Sequence, residues 1–206
     1  MSSNKMKENS ENRRSIDTVK YCTEKSDEEI MKGVVNDPEL FGVLIERYED
    51  KLRRYMLRIM PGLREDVDDL LQDVFVKTYV NVNGFDPKQK FSSWVYRIAH
   101  NESVSWLRKK KARPDLVELG DEDFQTFTRS MEDAFEDSET VLAKDEVARI
   151  MGDMEERYRS VLVLKFLEGR NYEEISDILA MPTGTVATQI HRAKKQFSSL
   201  YQKQHG

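Results

Sequence analysis

The sequence predicts an all-α protein made of two small helical domains joined by an acidic flexible linker. Apolar residues recur three and four positions apart along most of the chain, which is the spacing of a buried helix face. The composition combines 38% hydrophobic and 34% charged residues with nine glycines and five prolines, and this favours solvated helices over a sandwich or barrel. The 206 residues suffice for two small units, each with its own core.

Turn signals and charge divide the chain into four segments. Residues 1–36 have too few apolar side chains to offset ordering entropy, so they are predicted as a flexible polar leader that ends in a short helix at Asp27–Val34. Residues 37–113 form the first domain, residues 114–140 the linker and residues 141–206 the second domain. The linker holds ten acidic residues and one basic residue, a net charge of −9, against −5 for the whole chain. The rest of the chain is therefore basic, and overall acidity does not exclude nucleic-acid binding.

Several function classes are disfavoured by composition. No stretch reaches the roughly 20 apolar residues that a membrane span needs, and the polar start does not resemble a signal peptide, so we expect a cytoplasmic protein without membrane insertion. Cys22, the one cysteine, has no partner for a disulfide or a thiolate metal site. We expect no cofactor, no metal and no catalytic activity.

The second domain carries the pattern of a helix-turn-helix. Asn171 is a predicted N-cap with Glu174 at the capping-box position, and Gly169 can end the helix before it. Pro182 stops the short helix that follows, and a longer helix then resumes with one apolar stripe. In a helix-turn-helix the second helix enters the major groove, and base-reading and phosphate-binding residues are mixed on its outer face. These candidates are Thr185, Thr188, Gln189, His191, Arg192, Lys194 and Lys195.

The first domain offers two further candidate surfaces. A compact acidic patch, suited to a basic protein partner, consists of Asp68, Asp69, Gln72 and Asp73 on one helix. The next helix, about residues 91–111, carries Trp94 and Trp106 and ends in a run of basic residues. Aromatic rings beside cations make a platform for single-stranded nucleic acid, although we expect both tryptophans to lie in the core.

The motifs together resemble two conserved regions of the bacterial sigma-70 family. The second region is resembled by residues 68–75 (DDLLQDVF), 91–101 (FSSWVYRIAHN) and 106–111 (WLRKKK). The fourth is resembled by residues 158–162 (YRSVL), Gly169, residues 172–175 (YEEI), residues 182–186 (PTGTV) and residues 191–193 (HRA). Small size and the lack of anything like a third region indicate the extracytoplasmic-function (ECF) group.

The resemblance implies a sigma factor that binds core RNA polymerase, recognises promoter minus-thirty-five and minus-ten elements and promotes melting for a specific regulon. The acidic patch would dock on the clamp helices of the beta-prime subunit, the second domain would meet the beta flap, and the linker would run in the channel that later carries RNA. The turn at residues 81–90 would receive a flipped base. The minus-ten contacts implied are Asn83, Phe85, Lys90, Arg97, Asn101, Arg108, Lys109, Lys110 and Lys111.

The group resemblance also implies an anti-sigma factor as a partner, beside promoter DNA and polymerase. Two departures stand out in the helix-turn-helix. Ala180 replaces the glycine that relatives often have at the corner, and Ala187, Thr188 and Gln189 replace a common Lys-Ser-Arg. Fewer positive charges on the recognition helix imply a different contact with the minus-thirty-five element.

Three other functions fit parts of the sequence. A helix-turn-helix regulator that never meets polymerase explains the second domain but leaves the acidic patch without a role. Asp66, Asp69 and Asp73 lie one helical turn apart, as in a Mg²⁺ site for phosphoryl chemistry, but no basic or nucleophilic residues are arranged around them. A pure scaffold would bind polymerase without producing promoter-dependent transcripts.

Overall fold

A computed structural model describes residues 25–60, 63–110, 120–131 and 143–205, and every regular element in these ranges is helical. Residues 1–24 of the predicted leader with Cys22, part of the linker, and Lys111 lie outside the described residues. The first domain contains α1 (Asp27–Val34), α2 (Leu40–Ile59), α3 (Arg64–Val80), a 3₁₀ turn (Val82–Gly84) and α4 (Phe91–Lys110). After these come α5 (Asp121–Met131), α6 (Lys144–Asp153), α7 (Glu156–Leu162), a π-helical turn (Val163–Leu167), α8 (Tyr172–Leu179) and α9 (Thr183–His205).

Helix α1 belongs to the first domain although it falls within the predicted leader. Ser26 and Glu29 form a capping box at its start, and Ile30, Met31 and Val34 are buried in the core. The Glu28 carboxylate accepts a hydrogen bond of 2.8 Å from the backbone N–H of Phe91, at the start of α4, where a negative charge is favoured. The first domain therefore begins before residue 37.

The buried stripe expected along α3 is present. Val67, Leu70, Leu71, Val74 and Thr78 are buried there, and Phe75 is half-buried. Trp94 and Trp106 on α4 are also half-buried and pack against the core, as the sequence predicted. The acidic side chains of α3 consequently face outward.

The prediction of a flexible linker is wrong for Asp121–Met131, which forms α5. Phe127 is fully buried there, with its ring centroid 5.3 Å from that of Phe197 on α9 and 6.4 Å from that of Phe166. Lys144 also pairs with Asp121 at 2.6 Å. The density of acidic residues hid the two aromatic positions, Phe124 and Phe127, which anchor the helix on the second domain.

Arg159 holds the second domain together from inside. Its guanidinium is buried, and Nη1 donates to the carbonyl oxygens of Met151, Gly152 and Met154 at 3.1–3.3 Å, where α6 ends. Burial lowers the pKa of Arg159 to about 10, so the group stays charged at neutral pH. One side chain thereby satisfies carbonyls that a helix end leaves without intrahelical partners.

Replacing this guanidinium should destabilise the second domain. We expect Arg159→Met to lower the free energy of unfolding by about 2–4 kcal/mol, because it leaves several buried carbonyls without donors. Denaturant unfolding followed by circular dichroism measures the change. The control Arg157→Met removes an exposed arginine whose ion pair with Glu155 lies at the surface, so it should cost less than about 1 kcal/mol. Equal losses in the two variants would contradict the capping role.

Candidate nucleic-acid interface

The helix-turn-helix predicted from the sequence is present. The Asn171 side chain accepts from the Glu174 backbone N–H at 2.8 Å, and the Glu174 carboxylate accepts from the Asn171 backbone N–H at 3.0 Å. Gly169 has a φ of 63° and ends the preceding helical segment. The turn between α8 and α9 passes through Ala180, and the Ser176 hydroxyl donates to the Met181 carbonyl at 2.6 Å.

The outer face of α9 presents the candidate duplex-reading residues. The apolar stripe of Val186, Ile190, Ala193 and Phe197 is buried against the second domain. Thr188, His191, Arg192 and Lys195 are exposed, whereas Thr185, Gln189 and Lys194 are half-buried. The Lys194 ammonium lies 5.3 Å from the Phe166 ring centroid. No acidic residue occurs on α9, and Arg192 and Lys195 give its exposed face a positive charge.

The acidic patch on α3 is largely open to solvent. Asp69, Gln72 and Asp73 are exposed, and Asp68 is half-buried and forms an ion pair with Arg53 on α2. An apolar extension follows at the C-terminal end of the same helix, where Val76, Tyr79 and Val80 are exposed. These three residues lie outside the buried stripe that the sequence predicts for α3, and no motif in the sequence singled them out.

The predicted minus-ten residues lie in the turn before α4 and along α4 itself. Asn83, Lys90, Asn101, Arg108 and Lys109 are exposed, and Arg97 is half-buried. Lys110 is the last residue of α4.

Phe85 differs from the others in being buried. Its ring centroid lies 5.2 Å from that of Trp94 and 5.9 Å from that of Phe91. Phe85 thus shapes the turn from inside, and its ring is unavailable for stacking on a base in this conformation.

Helix α8 of the second domain packs directly against α4. Lys90 pairs with Glu174 at 2.9 Å, and the Arg97 side chain donates to the backbone carbonyl of Asp177. Partial burial tends to raise the pKa of the Glu174 carboxyl, but the Asn171 backbone N–H and Lys90 outweigh it, and the pKa is lowered. Two of the predicted minus-ten residues are therefore engaged by the helix-turn-helix.

A cavity of about 320 Å³ lies between the domains beside this contact. Asn101 and Arg108 line it from α4, and Glu156 and Met181 line it from the second domain. His100 also lines it, with Nδ1 3.0 Å from the Tyr55 hydroxyl and Nε2 3.8 Å from Glu156. Burial lowers the pKa of His100, with Arg108 acting in the same direction and Glu156 against it.

Residues that the sequence analysis did not single out complete the domain contact. Glu168 forms an ion pair with Arg58 on α2 and accepts a hydrogen bond of 2.8 Å from the Tyr96 hydroxyl on α4. The Arg170 guanidinium lies 4.3 Å from the Tyr96 ring centroid. Arg58 interrupts an otherwise apolar run from Tyr55 to Met60, and this was the only sequence signal of a buried ion pair. The sequence does not indicate that its partner is Glu168.

The described part of the chain contains no cluster of three or more His, Cys, Asp and Glu residues suited to a metal ion. Asp66, Asp69 and Asp73 thus do not converge on a common point. Among the described helices, none is both long and apolar enough to cross a membrane.

The fold and these surfaces define a protein with two helical units and a helix-turn-helix in the second. Residues 44–113 match the family model for sigma-70 region 2, and residues 144–197 match that for sigma-70 region 4. The chain is 31% identical over 172 residues to the ECF RNA polymerase sigma factor SigW of Bacillus subtilis, covering 81% of this chain and 90% of the relative. It is 30% identical over 182 residues to the ECF RNA polymerase sigma-E factor of Escherichia coli K12, with coverages of 85% and 92%.

Two solved structures share the fold. One is CnrH in complex with the cytosolic domain of CnrY, with a TM-score of 0.61, 23% identity, and coverage of 87% of this chain and 99% of that one. The other is the sigma factor RpoE of Bartonella quintana in complex with the anti-sigma factor NepR, with a TM-score of 0.56, 17% identity, and coverages of 79% and 96%.

The chain belongs to the ECF group of the sigma-70 family, as the sequence motifs predicted. Its function is promoter-specific initiation of transcription with core RNA polymerase, through a region 2 for the minus-ten element and a region 4 for the minus-thirty-five element.

The corner of the helix-turn-helix offers a stability test. Ala180 has a φ of 50° and a ψ of 46°, the left-handed conformation that costs an L-residue about 1–2 kcal/mol and glycine almost nothing. We expect Ala180→Gly to raise the free energy of unfolding by about 0.5–1 kcal/mol, measured by denaturant unfolding. Ala187→Gly, at an exposed position within α9, should instead lower it by about 0.5–1 kcal/mol. A loss at both positions would contradict strain at Ala180.

Proposed function

We propose that each described surface has a separate role in initiation. Helix α3 binds polymerase, α4 and its preceding turn bind the minus-ten strand, and α9 reads the minus-thirty-five duplex. One observation carries the proposal. The acidic, strand-binding and duplex-reading candidates occupy three separate faces, and each face has the charge that its target requires. Initiation needs simultaneous contact with a protein and two DNA elements, so separate faces are necessary.

The polymerase face combines charge with apolar area. Asp69, Gln72 and Asp73 supply a negative surface for a basic partner, which speeds encounter and fixes orientation. The exposed side chains of Val76, Tyr79 and Val80 continue that face, and their burial would supply affinity. We assign this combined face to the clamp helices of the beta-prime subunit, and the second domain to the beta flap.

The minus-ten face combines a turn with a basic helix. Asn83 and Lys90 flank the turn, and Phe85 packed on Trp94 supports it from below. Further basic and amide side chains follow along α4 or directly after it in the sequence: Arg97, Asn101, Arg108, Lys109, Lys110 and Lys111. Unstacking a base costs a few kcal/mol, so we assign these residues to holding an already separated strand while polymerase drives melting.

The duplex face lies on α9. Arg192 and Lys195 are exposed cations for phosphate, while Thr188 and His191 are exposed polar side chains for base edges or backbone. Thr185, Gln189 and Lys194 lie at the margin of this face, where partial burial limits their reach. Because the exposed cations are few, we expect α9 to bind an isolated duplex with modest affinity. Polymerase must supply the remaining affinity for the promoter.

Further assignments follow from the family. Both similar structures are complexes with a second protein, named in one case as an anti-sigma factor, and we propose such a partner for this chain. We place the action of this chain in the cytoplasm, where polymerase works. In this scheme the chain has no catalytic activity of its own, because polymerase carries out RNA synthesis.

Removing charge from the polymerase face tests the first assignment. We expect Asp69→Ala with Asp73→Ala to weaken binding to bacterial core RNA polymerase by at least about tenfold, since complementary charge orients the contact. Fluorescence anisotropy of the labelled chain measures this affinity. The control Glu46→Ala with Asp50→Ala removes two exposed acids at the same helical spacing from α2. Unchanged affinity in the first pair, or equal losses in both, would contradict the assignment.

The salt dependence of duplex binding tests the third assignment. Arg192→Ala should reduce the slope of log K against log salt by about one, because one phosphate contact and its released counterion are lost. Titration of a duplex carrying the minus-thirty-five element, at several salt concentrations, gives the slope. Lys203→Ala removes an exposed cation about three helical turns further along α9 and should leave the slope unchanged. An unaltered slope for Arg192→Ala would exclude a phosphate contact there.

A further inference from the structure

The turn that we assign to the minus-ten strand is shaped by contacts beneath its exposed surface. We call residues 81–90 the minus-ten turn. It begins with the 3₁₀ turn, and further along the Asp86 carboxylate accepts a hydrogen bond of 3.0 Å from the Lys88 backbone N–H. Phe85 is buried, whereas Asn83 is exposed. The side chains that DNA can reach are therefore supported by a local hydrogen bond and a buried ring.

The buried ring of the minus-ten turn packs on the start of α4. The Phe85 ring centroid lies 5.9 Å from that of Phe91 and 5.2 Å from that of Trp94. Phe91 is 1% exposed, and its ring centroid lies 5.2 Å from that of Tyr48 on α2. Because such interiors are closely packed, a shift in the first turn of α4 would displace Phe85 and the minus-ten turn with it.

The residue before α4 cannot cap the helix with its side chain. Lys90 lies at this position, since its carbonyl accepts from the Trp94 backbone N–H at 3.2 Å, and an ammonium group can only donate. The acceptor comes instead from Glu28 on α1, 63 positions earlier in the chain. Its Oε1 accepts a hydrogen bond of 2.8 Å from the backbone N–H of Phe91. Lys90 is a candidate phosphate contact, and a different helix caps α4.

The residue next to Glu28 fixes α1 on the first domain. Asp27 forms an ion pair with Arg47 and accepts a hydrogen bond from the Tyr48 hydroxyl, both on α2. Burial raises the pKa of Tyr48, and the hydrogen bond to Asp27 acts in the same direction, so the hydroxyl stays a donor at neutral pH. Two consecutive carboxylates of α1 thus join α2 to the start of α4.

We propose that Glu28 is a positioning residue for minus-ten recognition. It fixes the first turn of α4 and, through Phe91 and Phe85, the shape of the minus-ten turn. This inference rests on the proposed assignment of that turn to the minus-ten strand. A site discriminates between bases only while a supporting shell holds its contact groups in place. Loss of the cap therefore lowers selectivity between bases, although Glu28 itself does not contact DNA in this scheme.

Removal of the capping carboxylate tests this role. Run-off transcription with bacterial core RNA polymerase is measured on promoter fragments that carry each of the four bases at every minus-ten position. We expect Glu28→Ala to lower the preference for the best base, at the position that the minus-ten turn reads, at least about threefold, because the supporting contact is lost. Glu28→Met, which keeps the length of the side chain, should reproduce this loss. Base preferences in the minus-thirty-five element should not change.

Two further variants serve as controls. Glu28→Gln should keep most of the base preference, because its amide oxygen can still accept from the Phe91 backbone N–H. Glu46→Ala removes an exposed carboxylate from α2 and should change no base preference. Circular dichroism at the assay temperature establishes that each variant is folded.

Asn83→Ala identifies the minus-ten position that the turn reads, since Asn83 is exposed there. If this variant alters no base preference, the assignment of the turn is wrong and the positioning role is overturned with it. If Asn83→Ala alters a preference that Glu28→Ala and Glu28→Met both leave intact, only the positioning role is overturned. A fall in transcription that is equal for all four bases in the Glu28 variants would likewise overturn it, because a purely structural role predicts that result.

Discussion

The buried contact of Glu168 with Arg58 and Tyr96 joins the second domain to two helices of the first. The hydrophobic core is continuous across both of them, and α4 packs on the first domain with one side and on α8 with the other. A carboxylate placed in such surroundings needs partners, and two elements of the first domain provide them. Because α8 packs on α4, one side of each helix is withdrawn from solvent in this arrangement.

Much of the architecture could be predicted from local sequence. The capping box at Asn171 and Glu174, the stripe along α9 and the boundaries of α4 all depend on interactions between residues a few positions apart, and such patterns are visible in one chain. The helices within the leader and the linker were harder to predict, because composition is an average over a whole segment. Three apolar residues in α1 and two phenylalanines in α5 anchor these helices within segments that look polar as a whole.

The candidate site divides in the same way. Exposed residues such as Asp73 and Arg192 were identified because helical periodicity separates outer from inner faces. Phe85 was expected beside the DNA strand and is buried on Trp94, since a turn gives no periodicity from which burial can be deduced. The partners of Arg58 and Arg97 lie 110 and 80 positions further along the chain, so only the folded structure identifies them.

Run-off transcription with bacterial core RNA polymerase on a library of promoter fragments, with and without the purified chain, tests whether the chain directs initiation at specific promoters. A sigma factor with two DNA-reading faces should yield discrete transcripts that appear only when the chain is added. Their templates should share two conserved elements, one for each domain. A folded chain that binds core polymerase but produces no additional transcript would contradict a role as a sigma factor.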